Sequence, residues 1–312
     1  MVREKGTMKK NIIQRLAMPQ NELEAYYRAQ RVERYKNNEP IRGVKWRKRT
    51  HGLVLALLRL GQIFSGQKLT IIGDRRGKTD KPVIYACTHV GRYDIEMAFQ
   101  SIQAPFWLFM GDPGVVYKNI DGLILWFNGV IFSDTAYAKD RHIGKETCVK
   151  TLEQGGSLLI YPEGAWNITE NQVVMPLYPG AAEIAIRTGA EIVPIAIEQY
   201  GKHYYANIGA VISPSGYALS QRWELTNRLR DTLCTLKWEI WEQFPVTSRA
   251  SLPEDAAQQY LDGIMSQSEN GYTVEEIVRT RFHSKETPPQ EAFAHLKCLT
   301  PCRENAFLLR RR

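Results

Sequence analysis

Short apolar runs alternate with amphipathic segments from residue 68 onward, and this alternation is typical of an α/β domain built on a central sheet. The runs predicted to be strands are KLTIIG at 68–73, PVIYACT at 82–88, PFWLFM at 105–110, GVIF at 129–132, SLLIYP at 157–162 and AEIVPIAI at 190–197. The segments predicted to be helices are 94–102, 115–127, 140–154, 180–189 and 219–245. We therefore predict an α/β fold with a central, mostly parallel sheet flanked by helices.

The segment before residue 68 is helical in period and strongly basic. Residues 21–37 predict a charged helix, and no acidic residue occurs between Ile41 and Gly73. The basic residues of that stretch are Arg42, Lys45, Arg47, Lys48, Arg49, Arg59 and Lys68. Apolar residues recur there at helical spacing, namely Leu53, Leu57, Leu60 and Phe64, with Val54 and Leu58 beside them. This pattern predicts either an amphipathic helix at a membrane surface or a helix packed on the core with a solvated basic end.

The composition shows that the chain as a whole is positively charged. The 312 residues carry a net charge of +8, and 44% of them are hydrophobic, which is enough for a buried core. The charge favours anionic partners such as lipid headgroups, coenzyme A, an acidic carrier protein or nucleic acid. No recognised nucleic-acid module surrounds the basic run at 42–49, so we predict no nucleic-acid partner.

Membrane spans, disulfides and metal sites are not predicted. No run reaches the roughly 18 consecutive apolar residues of a spanning helix, and the first residues lack the apolar core of a secretory signal. Five cysteines are a sparse, odd set that indicates a reducing compartment. Cys298 and Cys302 have no second pair at zinc spacing, so we predict no metal.

The segment THVGRYD, residues 88–94, is the first candidate for chemistry. On one continuous helix its histidine and aspartate would be separated by about 140° of rotation. With His89 in the turn after a strand and Asp94 in the first helical turn, the two side chains can approach, and a helix N-terminus favours the carboxylate. A carboxylate on one imidazole nitrogen leaves the other free to deprotonate a hydroxyl. The alternative is a core histidine bonded to a carbonyl group.

Three further segments are uninformative singly: GVIFSD at 129–134, YPEGAWN at 161–167 and EIVPIAI at 191–197. The Pro-Glu-Gly turn presents a carboxylate beside a glycine, where a ligand can approach the backbone closely. Taken with THVGRYD and in this order, they resemble the motifs of the glycerolipid acyltransferases, the lysophosphatidate-type or PlsC-like enzymes. The resemblance covers roughly residues 80–200.

This resemblance implies an O-acyltransferase at the cytoplasmic face of a membrane, bound peripherally. The donor would be an acyl thioester, either acyl-coenzyme A or acyl carrier protein, and the acceptor a lysophospholipid hydroxyl of the 1-acylglycerol-3-phosphate type. The donor is a substrate, so no cofactor is predicted. The match implies that His89 and Asp94 are catalytic and that Glu163 and Gly164 shape the acceptor site. Asp134, in the second motif, is a predicted substrate-binding residue.

The chain departs from the family where the family carries arginines, which suit phosphate because they are always charged and bond two oxygens at once. Thr135 closes the second motif, and Ala165 and Trp166 stand where the third has Thr-Arg. Either other basic residues bind the phosphate, or Trp166 and Asn167 serve a different headgroup. The basic residues considered are Arg92, Lys139 and Arg141.

Three alternatives stay open: the same chemistry on a non-phosphate lipid or a sugar, hydrolysis of the thioester, and a lipid-binding protein without turnover. Backbone N–H groups near Gly164 or at the helix start are predicted oxyanion donors, and Cys87 is predicted not to be a nucleophile. The predicted organisation is a helical, membrane-facing extension at 1–66, an acyltransferase domain at 67–246 and a helical tail at 247–312.

Overall fold

The computed structural model describes residues 10–79, 81–111, 115–118, 120–169, 172–267 and 273–280. The helices in these ranges are α1 (Ile12–Leu16), α2 (Gln20–Lys36), α3 (Val44–Ser65), α4 (Asp94–Ile102), α5 (Ile120–Asn128), α6 (Ala138–Glu153), α7 (Gly180–Thr188), α8 (Arg222–Trp241), α9 (Ala256–Met265) and α10 (Val274–Thr280). The strands are β1 (Lys68–Asp74), β2 (Val83–Cys87), β3 (Trp107–Gly111), β4 (Val130–Ser133), β5 (Leu158–Ile160), β6 (Glu191–Tyr200) and β7 (His203–Ile208).

Within the described ranges, these strands form one sheet in the order β1-β7-β6-β2-β5-β3-β4. Neighbouring strands run parallel, except that β6 and β7 are antiparallel. The inner strands β2 and β5 are buried at every residue. Such strands are covered by helices on both faces, so they read as continuous apolar runs without alternation. The predicted α/β class with a mostly parallel sheet is confirmed.

Helices cover both faces of the sheet and create two hydrophobic cores. On one face, α8 buries leucines at helical spacing together with residues of α6 and α7. On the other face, Val54 and Leu55 of α3 pack with Met97 and Phe99 of α4 and with Leu125 of α5. This three-layer arrangement leaves the carboxyl ends of the parallel strands open as the place where turns can carry function.

Strand β7 is absent from the elements that the sequence predicts. It forms a hairpin with β6, and the turn between the two strands contains Gly201 at φ +59° and Lys202. A glycine with positive φ in a two-residue connection is a recognised hairpin signal. The helix predicted over 115–127 also differs, because a short 3-10 helix at Val115–Lys118 precedes α5. Gly122 of α5 lies so close to the carbonyl oxygen of Val116 that a Cβ on it would clash with that oxygen.

Helix α3 carries apolar residues on two faces. Val54 and Leu55 are buried against the core. The stripe of Leu53, Leu57, Leu60 and Phe64 is 50% to 82% exposed. The helix is therefore packed on the domain and also presents an apolar surface to its surroundings. None of the helices in the described ranges is both long enough and apolar enough to cross a membrane.

The predicted domain boundary at residue 66 falls between α3 and β1, and α8 ends shortly before the predicted boundary at 246. The division into domains stays a prediction. In the predicted tail the structure describes α9 and α10. Residues 281–312, which include Cys298 and Cys302, lie outside the described residues.

Candidate active site

His89 and Asp94 lie in the turn that joins β2 to α4. The strand ends at Cys87, the helix begins at Asp94, and the chain reverses between them. This reversal brings the imidazole Nδ1 of His89 to 2.7 Å from Oδ2 of Asp94. The expected approach of the two side chains is therefore present, and the catalytic role of the pair stays a prediction.

The Asp94 carboxylate is held from several directions. Its Oδ2 also accepts the backbone N–H groups of Val90 and Gly91, at 2.7 and 3.1 Å. The side chain has no solvent exposure. An acceptor in this position assigns the imidazole proton to Nδ1 and leaves Nε2 of His89 as the basic nitrogen. The turn thus fixes the orientation of the imidazole.

Two aromatic rings confine the imidazole of His89. The ring of Tyr161 stacks on it at a centroid distance of 4.3 Å, and Trp166 approaches edge-on at 6.2 Å. The side chain of His89 is 17% exposed, so the imidazole is reachable from a restricted direction. Sequence reasoning missed Tyr161, although it directly precedes the Pro-Glu-Gly turn. It did include Trp166, which the structure places beside the histidine.

Glu163 is buried behind His89 and connects two loops. One carboxylate oxygen accepts the N–H of His89 at 3.0 Å, and the other accepts the N–H of Met175 at 2.8 Å. Burial raises the pKa of Glu163, while the positive charge of Lys237 and the two backbone bonds act to lower it. The carboxylate therefore holds the backbone at His89 and at Met175, and its role in shaping the acceptor site stays a prediction.

Gly164 has a conformation and a setting that exclude larger residues. Its φ is +73°, and a Cβ there would lie 2.4 Å from the ring of Tyr178. Its N–H donates to the carbonyl of Tyr161 at 3.0 Å, and the N–H groups at the start of the α4 turn donate to Asp94. These three N–H groups therefore already have partners, and the expectation of oxyanion donors near Gly164 or at the helix start stays a prediction.

Asp134 lies on the same sheet edge but farther from His89. It follows β4, which is three strand positions from β2, a separation of about 14 Å at the usual strand spacing. Its Oδ2 accepts a hydrogen bond from Nη1 of Arg28 at 2.7 Å. The predicted role of Asp134 in substrate binding stays a prediction, and the structure adds this ion pair with α2.

The polar residues proposed as substitutes for the missing arginines occupy different settings. Arg92 lies in the His89 turn, with its guanidinium carbon 5.1 Å from the ring centroid of Tyr93. Arg141 donates to the carbonyl of Thr135 at 2.6 Å. The side chain of Asn167 is buried and donates to the carbonyl of Gln172 at 2.9 Å, which makes it part of the loop. Arg92 is thus the basic residue of this set that shares a turn with His89.

Cys87 precedes His89 by two positions but is buried in β2. Burial raises the pKa of its thiol well above the ordinary value, and the nearby charges of Asp94 and Glu163 raise it further. Such a thiol stays protonated and unreactive. Among the residues that the structure describes, no cluster of three or more His, Cys, Asp or Glu side chains could hold a metal ion.

Comparison with protein families finds a match to the family described as Acyltransferase over residues 68–198. This span begins with β1 and ends in β6, and it includes the His89 turn and the Glu163 loop.

Two curated relatives carry the name 1-acyl-sn-glycerol-3-phosphate acyltransferase. The protein of Borreliella burgdorferi is 20% identical over 156 residues, which are 50% of this chain and 61% of the relative. The alpha protein of Ovis aries is 24% identical over 153 residues, which are 49% of this chain and 52% of the relative. The chain thus spans between half and two thirds of the length of these relatives.

Among solved structures, the chain is similar to PlsC from Thermotoga maritima, a 1-acyl-sn-glycerophosphate acyltransferase. The TM-score is 0.51 at 15% sequence identity, and the match covers 73% of this chain and 98% of that one. At this identity the likeness concerns the fold.

Proposed function

We propose that this chain, whose residues 68–198 belong to the acyltransferase family, moves a fatty acyl group from an acyl thioester to a lysophospholipid hydroxyl of the 1-acylglycerol-3-phosphate type. The predicted PlsC-like family and the predicted enzyme class, acyltransferase, are confirmed by the family match and the relatives. The observation that carries the proposed chemistry is the 2.7 Å contact between His89 and Asp94.

In the proposed reaction, Nε2 of His89 removes the proton of the acceptor hydroxyl. The oxygen attacks the thioester carbonyl carbon and forms a C–O bond. The tetrahedral intermediate then collapses, the C–S bond breaks, and the departing thiolate takes the proton from the imidazolium. Asp94 stabilises the imidazolium that exists between these steps and keeps the ring oriented. The products are an ester and a free thiol, of coenzyme A or of acyl carrier protein.

The protein needs no acyl-enzyme intermediate for this chemistry. Cys87, two residues before His89, is buried and holds its proton. The acceptor hydroxyl supplies the nucleophile, so the site requires a base beside an open position, which the partly exposed imidazole of His89 supplies. The acceptor and the thioester carbonyl must then meet at the exposed side of the ring.

The identity of the acceptor rests on the relatives and on Arg92. The two relatives named above are 1-acyl-sn-glycerol-3-phosphate acyltransferases, and Arg92 shares the catalytic turn. A second candidate, a lipid with a non-phosphate headgroup, is favoured by Trp166 at 6.2 Å from His89, where the family carries an arginine. An indole ring suits an apolar or sugar surface, whereas a guanidinium suits phosphate.

We further propose that the chain binds peripherally to the cytoplasmic face of a membrane through a docking surface on α3 and α5. The exposed stripe of α3 supplies its apolar part, and Trp126 of α5 continues it, with a ring centroid 6.2 Å from that of Trp46. Exposed basic residues flank the stripe, namely Lys45, Lys48, Arg49, Arg59 and Lys68. Apolar insertion combined with attraction to anionic headgroups is the usual basis of interfacial helix binding.

The docking surface is tested by vesicle flotation with phosphatidylcholine containing phosphatidylglycerol. The double variant Leu57→Glu/Leu60→Glu leaves the buried face of α3 intact, and we expect it to remain with the soluble fraction. Leu219→Glu, an exposed leucine before α8 on the opposite face of the sheet, is the matched control and should float like the parent protein. Unchanged flotation of the double variant would place the membrane contact elsewhere.

The acyl transfer is tested by mass spectrometry of the products formed from a mixture of lysolipids and palmitoyl-coenzyme A. We expect phosphatidic acid as the main product and a loss of at least about a hundredfold in rate for His89→Ala, as for removal of a general base. His142→Ala, an exposed histidine on α6, controls for the substitution itself. Normal turnover by His89→Ala would refute the mechanism, and acylation of a non-phosphate lipid in preference would establish the second candidate.

A further inference from the structure

Helix α9 contacts the turn that carries His89. Ile264 is 6% exposed, and its γ-methyl group lies 3.8 Å from the position that a Cβ on Gly91 would occupy. Gly91 is two residues after His89 and donates its N–H to Asp94. Just after α9, Gln267 accepts a hydrogen bond from the hydroxyl of Tyr204 at 3.4 Å. The C-terminal segment thus lies against the catalytic turn, although it follows the family match by more than fifty residues.

Helix α10 contacts the second loop of the site. Ile277 is 2% exposed and forms an apolar cluster with Ala165 and Met175. Trp166 and Met265 pack against the same cluster. Because the indole of Trp166 also approaches the imidazole of His89 edge-on at 6.2 Å, apolar contacts run without a break from the base to α10.

The loop that contains Val174 and Met175 is held by hydrogen bonds to Glu163 and Arg230. The N–H of Met175 donates to Glu163, and the guanidinium of Arg230 donates to the carbonyls of Val174 and Met175, at 2.8 and 3.3 Å. The loop is therefore fixed on its inner side by α8 and by a buried carboxylate, and it is covered on its outer side by Ile277. Two helices outside the matched family region, α9 and α10, thus contact the two loops that surround His89.

We propose that Ile264, Met265 and Ile277, which we term the cap, exclude water from His89 and so make the site a transferase rather than a thioester hydrolase. The inference rests on the acyl transfer proposed above. A base that activates a lipid hydroxyl activates water equally well: a C–O bond forms from water, the C–S bond breaks, and a fatty acid and a thiol leave. Closing a site with apolar groups removes this competitor, and a lipid acceptor reaches the base along the remaining open side.

The cap is tested by the partition of one donor between two products. Full-length protein is incubated with palmitoyl-coenzyme A and 1-oleoyl-glycerol-3-phosphate, and free palmitate and acylated lipid are quantified together. We expect Ile277→Ala and, independently, Ile264→Ala to raise the ratio of palmitate to acylated lipid by about tenfold, equivalent to about 1.4 kcal/mol between the competing barriers. Val278→Ala changes an exposed residue of the same helix and should keep the parent ratio.

The ratio distinguishes the cap from a purely structural role and from failure of the proposed function. If both variants unfold at lower temperature but retain the parent ratio, the cap does not exclude water and the inference is wrong. If the parent protein forms no acylated lipid, or if His89→Ala forms it normally, the proposed function fails before the cap is in question. If the ratio rises in both variants and not in Val278→Ala, the result supports the exclusion of water by the cap.

Discussion

Two turns at the same edge of the sheet each contain an aspartate that accepts backbone N–H groups. The two aspartates differ in the side chain with which they pair. After β2, Asp94 accepts backbone N–H groups of its own turn and binds His89. After β4, Asp140 accepts the N–H of Asp134 at 2.6 Å. There the remaining partner is Arg31 of α2, which donates to both oxygens of Asp140 at 3.0 and 3.1 Å through Nε.

The difference lies in what each carboxylate stabilises. In the His89 turn the partner is an imidazole that can gain and lose a proton, so in the proposed reaction the carboxylate supports a change of charge. In the Asp140 turn the partner is a guanidinium that is always charged, so the carboxylate supports a fixed attachment of the N-terminal helix α2. Under the proposed function, a turn of similar design therefore serves chemistry in one case and attachment of a helix in the other.

The largest effect that separates the two turns is expected from Asp94→Asn. The amide cannot stabilise an imidazolium and can reverse the tautomer of His89, so we expect kcat to fall at least about a hundredfold, with a smaller change in KM. Steady-state kinetics with palmitoyl-coenzyme A and 1-oleoyl-glycerol-3-phosphate measures both. A variant that is fully active while its unfolding temperature matches the parent would remove Asp94 from the mechanism.

The substitution Arg31→Ala tests the role of Asp140 in the turn after β4. It leaves the carboxylate of Asp140, which is 1% exposed, without its cation, and breaking a buried ion pair costs about 3–5 kcal/mol. We expect a loss of this order in the free energy of unfolding, measured by urea denaturation, with kcat of the remaining folded protein near the parent value. Arg34→Ala, an exposed arginine on the same helix, is the control. An equal loss of stability in both variants would contradict the attachment role.

The approach of His89 and Asp94 could be predicted from the sequence because the contacts of this turn are local. His89 and Asp94 are five residues apart, and the strand before them and the helix after them are strongly patterned, so chain geometry alone brings the side chains together. The arginines that pair with Asp134 and Asp140 are more than a hundred residues away on α2. No periodicity within either segment indicates such a pairing, because long-range contacts depend on how complete layers pack.

The distinction between local and long-range contacts also explains which other features of the structure were not predicted from the sequence. Tyr161 stacks on His89 from the end of the neighbouring strand β5, and the contacts of Ile264 and Ile277 with the site join parts of the chain that only the fold brings together. Strand β7 is a different case. Its signal was present in Gly201, a glycine between two apolar runs, and a local reading of that turn would have found the hairpin.

A smaller effect concerns the buried carboxylate between the two loops of the site. Because burial raises the pKa of Glu163 above its ordinary value of 4.5, the folded protein binds the proton more tightly than the unfolded chain does. Its contribution to stability is therefore complete below pH 4.5 and is lost as the pH rises through the native pKa. In Glu163→Gln the amide NH2 cannot accept one of the two backbone N–H groups, which lowers stability at every pH, but we expect the free energy of unfolding to fall less with rising pH than in the parent. Parallel curves of unfolding free energy against pH would contradict this.

The smallest effect is expected for Asp134→Asn. This substitution tests whether the turn after β4 serves only to attach α2. Its ion pair with Arg28 is partly solvated, with side-chain exposures of 22% and 26%, and such pairs contribute about 0–1 kcal/mol. Asparagine retains an oxygen that can accept the N–H of Ala136, as the carboxylate does at 3.1 Å. We therefore expect Asp134→Asn to change the free energy of unfolding by less than about 1 kcal/mol and to leave the KM for the lysophospholipid unchanged, with Arg28→Gln behaving alike. If the KM rises severalfold in Asp134→Asn alone, the carboxylate takes part in acceptor binding as the motif implies, and the turn after β4 then serves both substrate and assembly.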